Sequence, residues 1–317
     1  MEENKKPPNG ARKTISIMVP TYNEEENVVP LADAIAAELS SSLPDYDYEI
    51  LFIDNCSTDR TRELLRRLCA RDRRIKAIFN TRNFGQFHSP YWGLCQTSGD
   101  CAISLCADFQ DPVELIPHLV REWERGHRVV CAVKTDSREN RFVRFLRSCY
   151  YALIGRLSQV RLIEHFTGFG LYDRSFIEVL RHLDDPSPFL RGVVAELGFS
   201  MTEVAYEQPR RRAGRTHNSF FTLYDAAMQS FAGYTKAPLR AAGLLGAISL
   251  LTFAIWGGAL LISGITGLVW LFPTLFLLSG LQLVFLSLVG EYLFLLRSKV
   301  VKRPLVVEEE RINFGEP

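Results

Sequence analysis

Ile15-Ser16-Ile17-Met18-Val19-Pro20-Thr21-Tyr22-Asn23-Glu24-Glu25 passes from a short apolar, β-branched run into a polar turn, and from about residue 25 to 39 the pattern turns helical. The same unit recurs downstream. Residues 50–53, 75–79, 102–105 and 129–133 read as further strands, with helix-like stretches at 60–70, 89–97 and 113–125 between them. Strands alternating with helices predict an α/β domain built on a mostly parallel sheet with helices on both faces, and ligands then bind outside the C-terminal ends of the strands. The polar clusters stand at those ends. Asn23 follows the first strand and is suited to cap the next helix, Asp54-Asn55-Cys56-Ser57-Thr58-Asp59 follows the second, and Cys106-Ala107-Asp108-Phe109-Gln110-Asp111-Pro112 follows the fourth. Capping alone would account for any one of them. Three strand ends that each set a carboxylate on one rim point instead to a shared ligand. Asp108 and Gln110 are hard oxygen donors suited to Mg²⁺ or Mn²⁺, which would in turn hold a diphosphate. Neither glycine-rich phosphate-loop pattern occurs, so the metal would have to carry that task.

The chain has 317 residues, with 37 Lys+Arg against 36 Asp+Glu. That balance argues against a wholly basic nucleic-acid binder, a disordered acidic tail and a polytopic channel, and the length suggests about two domains. Charge is unevenly spread, because residues 241–290 contain no Asp, Glu, Lys, Arg or His. This stretch divides into spans at about 241–262 and 268–290, the second helix expected to run on to about 292, separated by Ser263-Gly264-Ile265-Thr266-Gly267. At 1.5 Å per residue each span reaches about 33 Å, enough to cross a bilayer core. The alternative is a buried helical hairpin of a soluble domain, but neither span offers a polar face. Lys236 and Arg240 precede the first span, and Arg297, Lys299, Lys302 and Arg303 follow the second. The positive-inside rule then places both ends and the N-terminal region in the cytoplasm, at a cell membrane crossed twice. The polar, basic residues 1–13 predict no cleaved signal. Seven cysteines fit a reducing compartment, and Cys95, Cys101 and Cys106, lacking metal-ligand spacing, are expected to be buried thiols.

Six arginines (Arg138, Arg141, Arg144, Arg147, Arg156, Arg161) against the single Glu139, interleaved with Phe142, Phe145, Tyr150 and Tyr151, describe a basic amphipathic helix at about residues 139–160. Such a helix lies at a membrane interface, or else packs on the sheet with a solvated arginine face. Residues 207–240 combine a basic loop, Arg210-Arg211-Arg212-Ala213-Gly214-Arg215-Thr216-His217, with an aromatic stretch that reads as a second interfacial helix or a structural linker. The resulting organisation is a polar tail over 1–13, a catalytic domain over 14–206, the basic and interfacial segment over 207–240, two transmembrane helices within 241–296 and a cytoplasmic tail over 297–317.

The ordered set Val19-Pro20-Thr21-Tyr22-Asn23-Glu24-Glu25, Ile53-Asp54-Asn55-Cys56-Ser57-Thr58-Asp59, Arg82-Asn83-Phe84-Gly85, Ala107-Asp108-Phe109-Gln110-Asp111-Pro112 and Thr167-Gly168-Phe169-Gly170-Leu171-Tyr172-Asp173-Arg174 resembles the inverting nucleotide-sugar glycosyltransferases of the A-type fold. More narrowly it resembles the polyprenyl-phosphate glycosyltransferases, relatives of dolichol-phosphate mannose synthase, whose bacterial branch has a membrane hairpin. The resemblance implies that Pro20, Tyr22, Glu24, Asp54 and Asn83 bind the nucleotide sugar and that Asp108 and Gln110 hold Mg²⁺ or Mn²⁺ on its diphosphate. It further implies that Lys134, Arg144, Ser148 and Arg215 grip the acceptor phosphate, and that Arg211 neutralises charge on the leaving group. A homo-oligomer is suggested by family analogy alone.

The departures bear on mechanism. Cys106 stands where the family usually has a further Asp, and a thiol is a poor ligand for Mg²⁺ or Mn²⁺, which leaves Asp111 as a substitute or the metal site thinner. Many relatives carry Thr-Gly-Asp-Phe-Arg-Leu with its Asp a candidate base, where this chain has Phe169. A phosphate monoester is already ionised at neutral pH, so an acceptor of that kind needs no base. The expected reaction is transfer of one sugar, from a UDP-sugar foremost, to polyprenyl (undecaprenyl) phosphate. Transfer to a lipid hydroxyl such as diacylglycerol, a processive synthase and a catalytically silent membrane partner are the competing readings.

Overall fold

In a computed structural model of the chain, residues 12–135, 163, 165–183, 185, 188–209, 255, 262, 271–300 and 304–315 are described. Their eight strands form one sheet: β1 (Thr14–Thr21), β2 (Asp47–Asp54), β3 (Ile75–Asn80), β4 (Cys101–Ser104), β5 (Val129–Lys134), β6 (Phe166–Asp173), β7 (Met201–Tyr206) and β8 (Glu308–Ile312), in the spatial order β7-β5-β6-β4-β1-β2-β3-β8. Pairings β4/β1, β1/β2, β2/β3 and β5/β7 are parallel, whereas β6 runs antiparallel to both β4 and β5. Because β6 reverses twice over, the C-terminal ends of β1, β2, β4, β5 and β7 all emerge on one rim.

The helices are α1 (Val28–Ser42), α2 (Thr61–Arg71), α3 (Gly85–Gln96), α4 (Ile116–Glu124), α5 (Arg174–His182), α6 (Leu190–Glu196) and α7 (Leu271–Val300). Successive strand residues point to opposite faces of the sheet, and the core divides accordingly. Ile15, Ile17 and Val19 of β1 pack with Leu31, Ile35, Leu65, Leu68, Leu119 and Val120 of α1, α2 and α4. Met18, with Leu51, Ile53 and Ile78, packs on the other side with Tyr91, Leu94, Phe176 and Leu180 of α3 and α5. A sheet covered on both faces is why its strands read as unbroken apolar runs rather than alternating ones.

The C-terminal segment, expected to be a tail over 297–317, is part of this domain. β8 pairs antiparallel with β3, setting Ala77 opposite Ile312 and Phe79 opposite Glu310, and it closes the sheet edge that β3 would otherwise leave open. By contacts along the chain, residues 303–317 belong to the same compact unit as residues 1–140 and 162–217, while 141–161 and 218–302 form a second. α7 covers the second expected span from Leu271 onward and continues to Val300. Side chains at several positions along it fall outside those described, and among the described residues no helix is long and apolar enough to cross a membrane. The first expected span, apart from Ile255 and Ile262, and the two expected interfacial helices lie outside the described residues.

Candidate functional site

The loops leaving β1 and β2 are tied to each other by reciprocal hydrogen bonds. Asn23 N–H donates to Ser57 Oγ (2.8 Å), Thr58 N–H donates back to Asn23 Oδ1 (2.8 Å), and Glu24 N–H donates to Thr61 Oγ1 (2.8 Å). Arg60 N–H donates to Glu25 Oε2 (3.0 Å), and Glu25 N–H donates to Asp59 Oδ2 (3.2 Å). Asn23 adopts a left-handed conformation (φ 57°), which asparagine tolerates better than most residues. The expected capping role is therefore corrected: the residue at the start of α1 is Asn27, and Asn23 spends its side chain on the neighbouring loop. Asn27 Nδ2 in turn donates to Glu24 Oε2 at 2.6 Å, and so orients that carboxylate.

Asp54 ends β2 with no solvent exposure. Its Oδ2 accepts from Ser57 N–H (3.1 Å) and lies 3.6 Å from Arg62 Nε, while Oδ1 is buried without a hydrogen-bond partner among the described residues. Burial pushes its pKa up against the pull of Ser57 and Arg62. Asn55 links this loop to the one after β3: its Nδ2 donates to Asn83 Oδ1 (2.9 Å), and its Oδ1 accepts from Phe84 N–H (2.9 Å) and Asn80 Nδ2 (3.2 Å). Asn83 Oδ1 also accepts from Gly85 N–H at 2.8 Å, so the side chain expected to touch the nucleotide sugar holds the loop in shape.

The third cluster sits beside them, since β4 is hydrogen-bonded to β1. Asp108, 6% exposed, accepts Gln110 N–H on Oδ1 (3.1 Å) across Phe109, whose φ is 60°. Asp111 is buried with both oxygens engaged, Oδ2 by Cys106 N–H (2.9 Å) and Oδ1 by Tyr206 O–H (3.1 Å). Burial raises the Asp111 pKa, opposed by its Cys106 bonds, the Lys134 charge and Tyr206. Phe169 packs edge-on against the Tyr206 ring, centroids 5.4 Å apart. Tyr206, at the end of β7, thus braces the loop from behind. Nothing in the sequence marked it, because the brace joins strand ends 95 residues apart. Cys95 and Cys101 are buried as expected; Cys106 is exposed as a residue on the loop surface, while desolvation and the neighbouring Asp111 carboxylate push its thiol pKa up.

These contacts decide which groups suit a divalent cation. Asp111 is the less accessible candidate, 2% exposed and with each oxygen already accepting one hydrogen bond. Mg²⁺ is commonly held by one or two carboxylates together with substrate phosphates, and Asp108 fits that share. No cluster of three or more His, Cys, Asp or Glu side chains placed to hold a metal by themselves occurs among the described residues. Lys134 ends β5 on the same rim and lies close enough to stabilise the Asp111 carboxylate. Tyr22, Glu24, Asp54, Asp108, Gln110 and Lys134 therefore share one end of the sheet, with half-buried Pro20 just beneath in β1. Arg144, Ser148, Arg211 and Arg215 lie outside the described residues.

Comparison with known proteins identifies the family. The model of the family described as Glycosyl transferase family 2 matches residues 16–181, more than half of the chain. A prophage bactoprenol glucosyl transferase homolog of Escherichia coli (strain K12) is 28% identical over 92% of this chain and 96% of its own. A bactoprenol glucosyl transferase of Shigella phage SfII is 29% identical over 92% and 96%. The uncharacterized glycosyltransferase YkcC of Bacillus subtilis (strain 168) is 30% identical over 93% of each chain. By the family match and the likeness to YkcC, the chain belongs to glycosyl transferase family 2 and is a glycosyltransferase.

Proposed function

We propose that the enzyme transfers one sugar with inversion from a UDP-sugar to a polyprenyl phosphate, undecaprenyl phosphate in a bacterial membrane. The product is a lipid-linked sugar donor for cell-envelope glycan modification. One observation carries the acceptor assignment: Phe169, at the place where the resemblance implies a candidate aspartate base, is buried against Tyr206, so no carboxylate stands there to deprotonate an alcohol. A phosphate oxygen is already anionic and requires positioning rather than a base. The names of the two bactoprenol glucosyl transferase relatives point to the same acceptor class.

In this reading Tyr22, Glu24 and Asp54 hold the nucleotide, with Pro20 and Asn83 shaping its pocket. Asp108 and Gln110 hold a divalent cation, Mg²⁺ or Mn²⁺, which when bound supplies charge neutralisation at the diphosphate. Arg211 stabilises the departing nucleoside diphosphate while Lys134, Arg144, Ser148 and Arg215 orient the acceptor phosphate for attack at the anomeric carbon. The membrane assignment is supported by the charge-free stretch over 241–290 and by α7, on which Leu283, Val284 and Leu286 are 67%, 58% and 68% exposed. Apolar surface costs roughly 25 cal/mol per Å² in water, a cost that lipid removes. The catalytic domain and both termini then face the cytoplasm.

The test is incubation of detergent-purified full-length protein with labelled UDP-glucose and undecaprenyl phosphate, with and without Mn²⁺. Metal-dependent label on the polyprenyl phosphate is expected, and Arg144→Ala should raise the KM for the lipid by about tenfold, the scale of one lost charge-assisted contact. Label on diacylglycerol instead would make the acceptor a hydroxyl. Absence of lipid-linked label with UDP-glucose, UDP-N-acetylglucosamine and GDP-mannose alike would defeat the proposal.

A further inference from the structure

The strand formed by the C-terminal segment reaches the donor pocket through one side chain. Arg62, in the first turn of α2, extends in two directions: Nη2 lies 2.6 Å from Glu309 Oε2 on β8, and Nε lies 3.6 Å from Asp54 Oδ2 at the end of β2. The first contact is a hydrogen-bonded ion pair. The second exceeds hydrogen-bond length, and the buried Nε makes no hydrogen bond among the described residues. The guanidinium is also seated over the Phe79 ring, 5.2 Å from its centroid.

An arginine beside a carboxylate ordinarily closes a two-bonded fork. Here one arm is drawn away by Glu309, and Asp54 keeps Oδ1 buried and without a partner. A buried carboxylate oxygen left open is costly unless a ligand completes it. We propose that Glu309 is a positioning residue for the donor: by holding Arg62 off Asp54 it keeps Oδ1 open to an N–H donor, the group that the ring of a uracil or guanine nucleotide presents. This rests on Asp54 being a nucleotide contact. Once Glu309 is removed, Arg62 is released to pair fully with Asp54 and compete with the base. The segment that follows the apolar helix thereby becomes part of the donor site, 255 residues along the chain from Asp54.

Glu310, next on the same strand, supplies an internal control. It pairs with Arg66 at 2.7 Å, and Arg66 likewise sits over Phe79 at 4.6 Å, so the two glutamates tie β8 to α2 in similar ways; of the two arginines it is Arg62 that reaches within 3.6 Å of Asp54, while Arg66 feels that carboxylate at longer range.

The experiment titrates UDP calorimetrically into detergent-purified full-length protein. Glu309→Gln should weaken UDP by about tenfold, the equivalent of one charge-assisted contact, whereas Glu310→Gln should stay within about twofold of the parent. Glu309→Asp should recover part of the loss. In an Asp54→Asn background, itself weakened, Glu309→Gln should add nothing further, because the two act through one contact. Equal losses in Glu309→Gln and Glu310→Gln would mean that β8 merely braces the sheet, and unchanged affinity in Glu309→Gln would overturn the proposal outright. Unchanged affinity in Asp54→Asn would instead remove Asp54 as the nucleotide contact.

Discussion

Asp108→Ala should lower sugar transfer by about a thousandfold, the upper range for removing a single group that stabilises charge developing in the transition state. Two features of the site make the large end of that range the expectation. Cys106 stands where the enzymes this chain resembles usually have a second carboxylate, and Asp111 is more deeply buried than Asp108, its oxygens accepting from Cys106 N–H and Tyr206 O–H. Asp108 is thus the carboxylate on this loop better suited to share a divalent cation with the diphosphate. Truncation also removes the acceptor for Gln110 N–H, which shapes the turn at Phe109. Asp108→Asn separates the two roles, since its amide oxygen preserves the bond to Gln110 while the charge is lost. Initial rates with labelled UDP-glucose should fall almost as far in Asp108→Asn as in Asp108→Ala, with melting temperature unchanged in the former. A rate for Asp108→Asn within about tenfold of the parent would show that charge at this position is not what the reaction uses, because full electrostatic roles cost more than that.

Much of this site was legible in the sequence because its parts are local. An apolar run followed by Asn, Asp or Glu marks a strand end whatever happens elsewhere, and the strands at 15–19, 50–53, 75–79, 102–105 and 129–133 lie within β1 to β5 or overrun them by one residue. What stayed hidden depends on distant partners. Asn23 looks like a cap by its neighbours, yet the N–H of Thr58, 35 residues away, claims its side chain. β8 reads Glu-Glu-Glu-Arg-Ile, a polar string with little strand character, and pairs because the open edge of β3 and the arginines of α2 are there to receive it. β6 carries glycines inside a strand, which normally weakens the reading. At Gly170 the structure supplies the reason: a Cβ would lie 2.4 Å from the Val130 carbonyl oxygen on β5. Tyr206 and Arg62 were missed on the same ground, since each acts across the sheet rather than along the chain.

Glu49→Ala should destabilise the domain by about 3–5 kcal/mol, the usual cost of breaking a buried, hydrogen-bonded ion pair from one side. Glu49 lies on β2 at the end of the sheet opposite the proposed donor site and is 5% exposed. It binds Lys76 Nζ at 2.6 Å and accepts from Ser16 Oγ, Ser98 N–H and Ser98 Oγ, each at 2.6 Å. Ser16 Oγ then accepts Gly99 N–H at 2.8 Å, an approach that only glycine permits, because a Cβ there would stand 2.5 Å from the Thr14 carbonyl oxygen. One carboxylate thus joins β1, β2, β3 and the turn before β4, and its removal strands a largely buried ammonium and several hydrogen-bonding groups at once. Burial alone would raise the Glu49 pKa, but the bonds from Lys76, Ser16 and Ser98 outweigh it and hold the pKa below the ordinary value. A depressed folded-state pKa contributes stability that is complete above the ordinary glutamate range and lost as pH falls through the folded value. The gap between wild type and Glu49→Gln should therefore be widest near neutrality and close in acid, below about pH 4. Thermal melts should show Glu49→Ala lower by roughly 10 °C at pH 7, with UDP affinity of the folded fraction unchanged. A shift under about 2 °C would mean the network is dispensable to the sheet. A loss of UDP affinity at temperatures where the variant is folded would mean that this end of the strands is coupled to the donor pocket.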